Sequence, residues 1–126
     1  MKLFTVEQAN ELIPLIRPKL EKIRSGYALL TVFRESARSA AAAANEFGGG
    51  GMKEGSRYVR LLYEIGKIAT EIHELGIQLK DYSRGLIDFP SLKEGRIILL
   101  CWQLDEGNQV KWWHELEAGF AGRQPL

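Results

Sequence analysis

The chain is poor in the residues from which reactive centres are most often assembled, with one cysteine and two histidines among 126 residues. A lone Cys101 cannot close an internal disulfide. C-x-x-C, H-x-x-x-H and H-E-x-x-H are all missing, so no recognised zinc or metalloprotease signature is present. Neither sign of charge predominates: 17 Lys and Arg stand against 16 Asp and Glu. Such balance gives no bulk electrostatic reason for a nucleic-acid or membrane partner. The longest apolar run, "IILLCW", is far shorter than the ~20 residues that cross a bilayer. Glu7, Asn10 and Glu11 stand where a secretory signal needs an apolar stretch, so the chain reads as cytoplasmic.

What is present is periodicity. Thr5 followed by Gln8 reads as a capping box, in which the hydroxyl accepts from a free helix-start amide while the glutamine side chain reaches back. From there Val6, Ala9, Ile13, Ile16, Leu20, Ile23, Tyr27 and Leu30 recur at spacings of three and four, along one seam of a helix. Pro14 and Pro18 lie off this seam, on the side expected to face solvent, and predict a bend convex toward water. The small residues of "ARSAAAAANEF" carry the helix on to Asn45, where the run Gly48 to Gly51 ends it as a flexible connector. That run lacks the strand before and the Lys-Ser/Thr after that a phosphate loop requires. A second seam follows in Tyr58, Leu61, Ile65, Ile68, Ile72, Leu75 and Leu79.

Two such helices with a short connector make an antiparallel hairpin. At ~1.5 Å per residue the first, Thr5 to Asn45, reaches about 60 Å and the second, Gly55 to Gly76, about 33 Å. The excess is expected to be covered in two ways. The proline-containing start folds against the C-terminal unit, and the remaining seam meets a second copy of the chain in a dimeric four-helix arrangement. The alternative is a monomer whose C-terminal unit caps both seams.

After Gly76 the period changes. "GLIDFP", "GRIILLCWQ" and "QVKWWHEL" are short, rich in β-branched and aromatic residues, and bounded by glycine, proline and polar turns, which predicts a small three-stranded antiparallel sheet. The fold class is therefore α+β. A single domain spans 1–126, with the helical hairpin over 5–76 and the β unit and tail over 77–126. In the middle strand Ile97, Leu99, Cys101 and Gln103 share one face, and Ile98, Leu100, Trp102 and Leu104 the other. Both faces are apolar, so the sheet is expected to lie between the hairpin and another layer, with the glycine-rich tail as the candidate. The turn "LDEGNQ" permits two registers. A two-residue turn at Gly107 and Asn108, the preferred reading, sets Cys101 opposite His114 and Trp102 opposite Trp113. A three-residue loop with a bulge pairs Cys101 with Lys111.

The segments "FTVEQANELIPLIRP", "ELGIQLKDYSRGLIDFP", "LLCWQLDE" and "WHELEAGFAGRQP" resemble a widespread bacterial family of uncharacterised proteins, domain of unknown function family 2203. The resemblance implies no activity, cofactor or catalytic residue, because the family has none established. It directs attention to Lys80, Asp81, Gly85, Asp88, Cys101, Trp102, Glu106, Trp113, His114, Gly119 and Arg123, which match its motif positions. Asp105 stands where the family pattern has glycine.

Three chemistries suit the C-terminal cluster. In a metal site Cys101 and His114 would be joined by Glu115 or Asp88, with His73 as a further candidate. No motif supports it, and a buried apolar cysteine with a hydrogen-bonded histidine is the plainer account. In a nucleophilic site His114 would activate Cys101, but a cysteine between Leu100 and Trp102 lacks the accessible, electropositive setting a catalytic thiol needs. In a binding site Lys80, Arg84 and Arg123 would present cations while Trp102, Trp112, Trp113 and Phe120 form flat walls, suiting a small anionic or aromatic ligand. Asp88 and Arg123 are alternatively a structural ion pair that pins the tail. The basic residues Arg17, Lys19, Lys22, Arg24, Arg34 and Arg38 read as a solvated helix face.

The expectation is a noncatalytic interaction or small-ligand-binding module that self-associates as a homodimer, with neither cofactor nor membrane partner. Its candidate binding residues are Lys80, Asp81, Arg84, Asp88, Trp102, Glu106, Trp113, His114 and Arg123. The alternative is a small hydrolase-like enzyme using Cys101 and His114, with or without zinc.

Overall fold

The computed structural model describes residues 1–47 and 52–126. The glycine run expected to act as a connector lies outside the described residues. Helix α1 spans Val6–Phe47 and opens with the capping box: the Gln8 amide donates to Thr5 Oγ1 at 3.1 Å, and the Thr5 amide donates to Gln8 Oε1 at 2.9 Å. The seam forms as its spacing dictates, with Ala9, Ile13, Ile16, Leu20, Ile23 and Leu30 buried and Val6 and Tyr27 half-buried. Pro14 and Pro18 are exposed, and the helix runs through both unbroken.

Helix α2 spans Met52–Glu74 and returns along α1 as far back as Lys19. The Ile65 side chain packs directly on Gly26, where an added methyl group would stand 3.0 Å from it. Lys19 donates to Glu71 across the pair at 2.6 Å, and Arg34 Nε donates to the Tyr58 hydroxyl at 3.3 Å. No helix among the described residues is long and apolar enough to cross a membrane.

The sheet has five strands, where the sequence pattern predicts three: β1 (Gln78–Asp81), β2 (Leu86–Lys93), β3 (Arg96–Trp102), β4 (Trp112–Glu115) and β5 (Gln124–Pro125). They form an antiparallel meander in chain order. The added strands are the short outer ones. Leu79 continues the spacing of the second helical seam and so reads as helix, while β5 has two residues, one of them a proline confined to a sheet edge.

Both expected registers of the β3–β4 hairpin fail. Cys101 lies opposite Trp112, Leu99 opposite His114 and Leu100 opposite Trp113. A tight turn does not form, because residues 103–111 are held to α1. Arg17 donates to the Gly107 carbonyl at 2.6 Å and to Asn108 Oδ1 at 2.7 Å, and the Val110 amide donates to Asn10 Oδ1 at 2.7 Å. The Arg17 guanidinium also lies over the Trp102 ring, 5.2 Å from its centre.

Alternation along the strands then sorts the side chains. Ile87, Phe89, Ile98, Leu100, Trp102 and Trp113 face the helices and join one continuous core with Phe4, Ile13, Ile16, Leu20, Ile72 and Ile77. Burying each such aliphatic or aromatic side chain contributes roughly 1.5–3 kcal/mol. The proline-containing start of α1 therefore packs on the sheet, as its length requires. Asp88, Pro90, Leu99, Cys101, Trp112 and His114 project from the opposite, outer face.

Candidate functional site on the outer sheet face

The outer face buries polar groups. Asp88, Cys101 and His114 are exposed by 2%, 0% and 2%, although they come from three different strands. Asp88 is the β2 partner of Cys101, and His114 sits on β4 opposite Leu99. Asp88 and His114 are thus separated by a whole strand, about 10 Å of backbone spacing. Their side chains meet over the central strand, with Asp88 Oδ1 3.2 Å from His114 Nε2. The small Cys101 side chain leaves room for this contact, which a branched aliphatic residue at that position would obstruct.

His114 Nδ1 lies 2.8 Å from the Glu115 backbone oxygen. A carbonyl only accepts, so Nδ1 carries a proton. Nε2 then faces a carboxylate oxygen that, when ionised, also only accepts. One proton must therefore be held between the imidazole and the carboxyl, or a cation must take its place. Lys80 Nζ approaches the other Asp88 oxygen at 3.9 Å from a half-exposed position on β1. Burial, followed by the charge of Asp88, raises the Cys101 thiol to about 12 against a smaller opposing pull from Arg123. Without a bound cation, this sulfur is a neutral thiol at neutral pH.

Arg123 reaches over this face from the tail. Its guanidinium makes two parallel bonds to Glu106, NH1 to Oε1 at 3.0 Å and NH2 to Oε2 at 2.6 Å, and stands 3.8 Å from Cys101 Sγ. It also lies over the rings of Trp112 and Phe120, at 4.7 and 4.5 Å. Burial works against its charge, but the Glu106 carboxylate and the Cys101 sulfur outweigh this and raise its pKa above the ordinary arginine value. Glu106 in turn accepts from the Gln103 amide at 3.0 Å, so the bond pair ties the tail to the connection after β3.

Not all candidate residues meet here. Lys80, Asp88, Glu106, His114 and Arg123 border or enter the outer face together with Cys101. Trp102 and Trp113 do not: they point into the helix-facing core, and adjacency to Cys101 already places Trp102 on the other side of a pleated strand. Asp81 folds onto its own turn, where Oδ1 accepts from the Ser83 amide and hydroxyl and from the Arg84 amide. Those bonds, the Ser83 hydroxyl foremost, lower its pKa. Arg84 pairs with Asp81 at 3.3 Å and lies over Phe120. The Asp88–Arg123 pair considered from sequence does not form; Asp88 takes His114 and Lys80, and Arg123 takes Glu106. His73 is exposed on α2, outside the cluster. Arg17 and Asn10, which set the path of residues 103–111, carried no sequence signal beyond their place on the first helix.

A family model for uncharacterized conserved proteins, DUF2203, matches residues 2–126, and the chain belongs to that family. No curated protein and no solved structure matches it.

Proposed function

We propose that this DUF2203 chain is a noncatalytic interaction module that pairs with a second copy of itself through its helical hairpin. One observation carries the reading. A groove of about 1020 Å³ runs between α1 and α2, lined by Leu15, Leu29, Leu61, Ile65 and Ile68. Its rims bear both signs of charge, Lys19, Lys22 and Lys67 against Glu21, Glu64 and Glu71. A two-fold dimer presents the same patch from each copy, and a patch of mixed sign is able to complement itself. Val32, Val59, Leu62 and Tyr63 extend the exposed apolar surface along the hairpin. Residues 31–39 and 55–64 contain no buried side chain. That arm therefore contributes little to a core of its own, and helices draw most of their stability from packing.

The outer sheet face weighs against the hydrolase reading, because a fully buried thiol raised to about 12 has neither the access nor the charge of a nucleophile. It also favours the interaction module over capture of a small anion, since Lys80, Arg84 and Arg123 already face Asp88, Asp81 and Glu106. Sedimentation over a range of concentrations tests the proposal. The expected result is a dimer, dissociated by Leu29→Glu, a change at a half-exposed groove position. A strictly monomeric wild-type chain at all concentrations contradicts it.

A further inference from the structure

We propose that Asp88, Cys101 and His114 form a site for one divalent transition ion of the zinc class, joining β2, β3 and β4. One ligand atom from each residue lies within 4.8 Å of the other two. Ligands placed tetrahedrally around an ion at ~2.0–2.3 Å stand roughly 3.3–3.8 Å apart. Small side-chain adjustments therefore bring the set to binding distance, and Asp88 and His114 are already 3.2 Å apart.

The imidazole is prepared for this role. Its Nδ1–H donates to the Glu115 carbonyl, which fixes the tautomer and leaves the Nε2 lone pair directed at the cluster. A backbone carbonyl holding the far nitrogen is the usual support of a metal-bound histidine. One nitrogen, one oxygen and one sulfur donor suit zinc or cobalt and are wrong for calcium or magnesium, which take oxygen alone. Three protein ligands leave the fourth position to water or to the second Asp88 oxygen.

Charge balance allows the ion despite two neighbouring cations. In the metal-free cluster one proton sits on the thiol and one is held between His114 and Asp88. A divalent ion takes the place of both. The net charge of the cluster is then the same in the two states, so Lys80 and Arg123 meet no added positive charge. Glu106 meanwhile keeps its pairing with Arg123. The half-exposed Lys80 marks the side from which an ion would enter.

Titration of chelator-treated protein with Co²⁺, followed by competition with Zn²⁺, tests the site. The expected result is uptake of one equivalent, with a near-ultraviolet thiolate-to-cobalt absorption that zinc removes. Cys101→Ser abolishes that absorption, and Cys101→Ser and Asp88→Asn each weaken zinc binding at least ~10-fold. His73→Gln, at the exposed histidine, changes neither. Circular dichroism verifies that each variant is folded, and a readout on the unaltered chain is independent of any variant: zinc slows alkylation of Cys101 in mild urea. Failure of the folded wild type to take up either ion, undiminished uptake by folded Cys101→Ser, loss of uptake in His73→Gln, or alkylation unaffected by zinc overturns the proposal.

Discussion

The two faces of the sheet are buried by different means. Toward the helices, Ile87, Phe89, Ile98, Leu100 and Trp102 meet Ile13, Ile16 and Leu20 in a contact that is almost wholly apolar. On the other side, the same strands bury a carboxylate, a thiol and an imidazole whose hydrogen bonds must each be met. An apolar layer tolerates exchange among side chains of similar volume. A buried polar cluster does not, because removing one partner strands the rest. The inner face accordingly supplies bulk stability, and the outer face fixes which side chains sit where.

That contrast can be broken at either face. Phe89→Ala opens a void under Phe4, whose ring meets Phe89 edge-on at 5.4 Å, and is expected to cost about 3–5 kcal/mol in denaturant unfolding. Phe89→Leu, which keeps much of the volume, should cost well under half as much. On the outer face volume is not the criterion. Asp88→Leu should cost more than Asp88→Asn, with about 1–3 kcal/mol attached to leaving His114 unpaired. Equal losses for the two would remove the distinction between the faces.

Smaller effects are expected at three further positions. Gly85 has φ +60°, and an added Cβ would stand 2.6 Å from the Leu104 side chain. Gly85→Ala should therefore destabilise by about 1–3 kcal/mol through backbone strain together with the clash at Leu104, measured by thermal unfolding. Cys101 of the metal-free protein should resist alkylation at pH 8 unless unfolded. Its thiol is raised from 9.0 to about 12. Stability from this group is complete below the unfolded value of 9.0 and is lost as pH rises from there through about 12, so alkaline unfolding should be eased in Cys101→Ala less than in the wild type. The exposed Arg38–Glu35 pair should matter least, with Arg38→Ala changing stability by less than about 0.5 kcal/mol.

Local pattern made the helices legible. The capping box at Thr5 and the seams through Ile13 and Ile65 are written in spacings of three and four, and burial follows them. The faces of β3 were legible as well, since alternation alone separates Cys101 from Trp102. The same alternation sets Trp102 and Trp113 on the face opposite Cys101 and His114. What could not be read was anything set by distant contacts. The hairpin register depends on Arg17 and Asn10 of α1 holding residues 103–111, and the turn residues themselves carry no record of it. The meeting of Asp88 with His114 requires two registers at once, β2 with β3 and β3 with β4. The choice of Glu106 over Asp88 by Arg123 depends on the path of the tail. β1 was concealed because Leu79 keeps the helical spacing past the glycine that ends it, Gly76 at φ +88°.

The contact between Asp88 and His114 over Cys101 is where these long-range constraints converge. A double-mutant cycle in chelator-treated protein, with Asp88→Ala, His114→Ala and the pair, measures it directly by urea unfolding. A coupling of about 1–3 kcal/mol is predicted. Additive losses would mean that the two side chains do not stabilise one another, and would contradict the account.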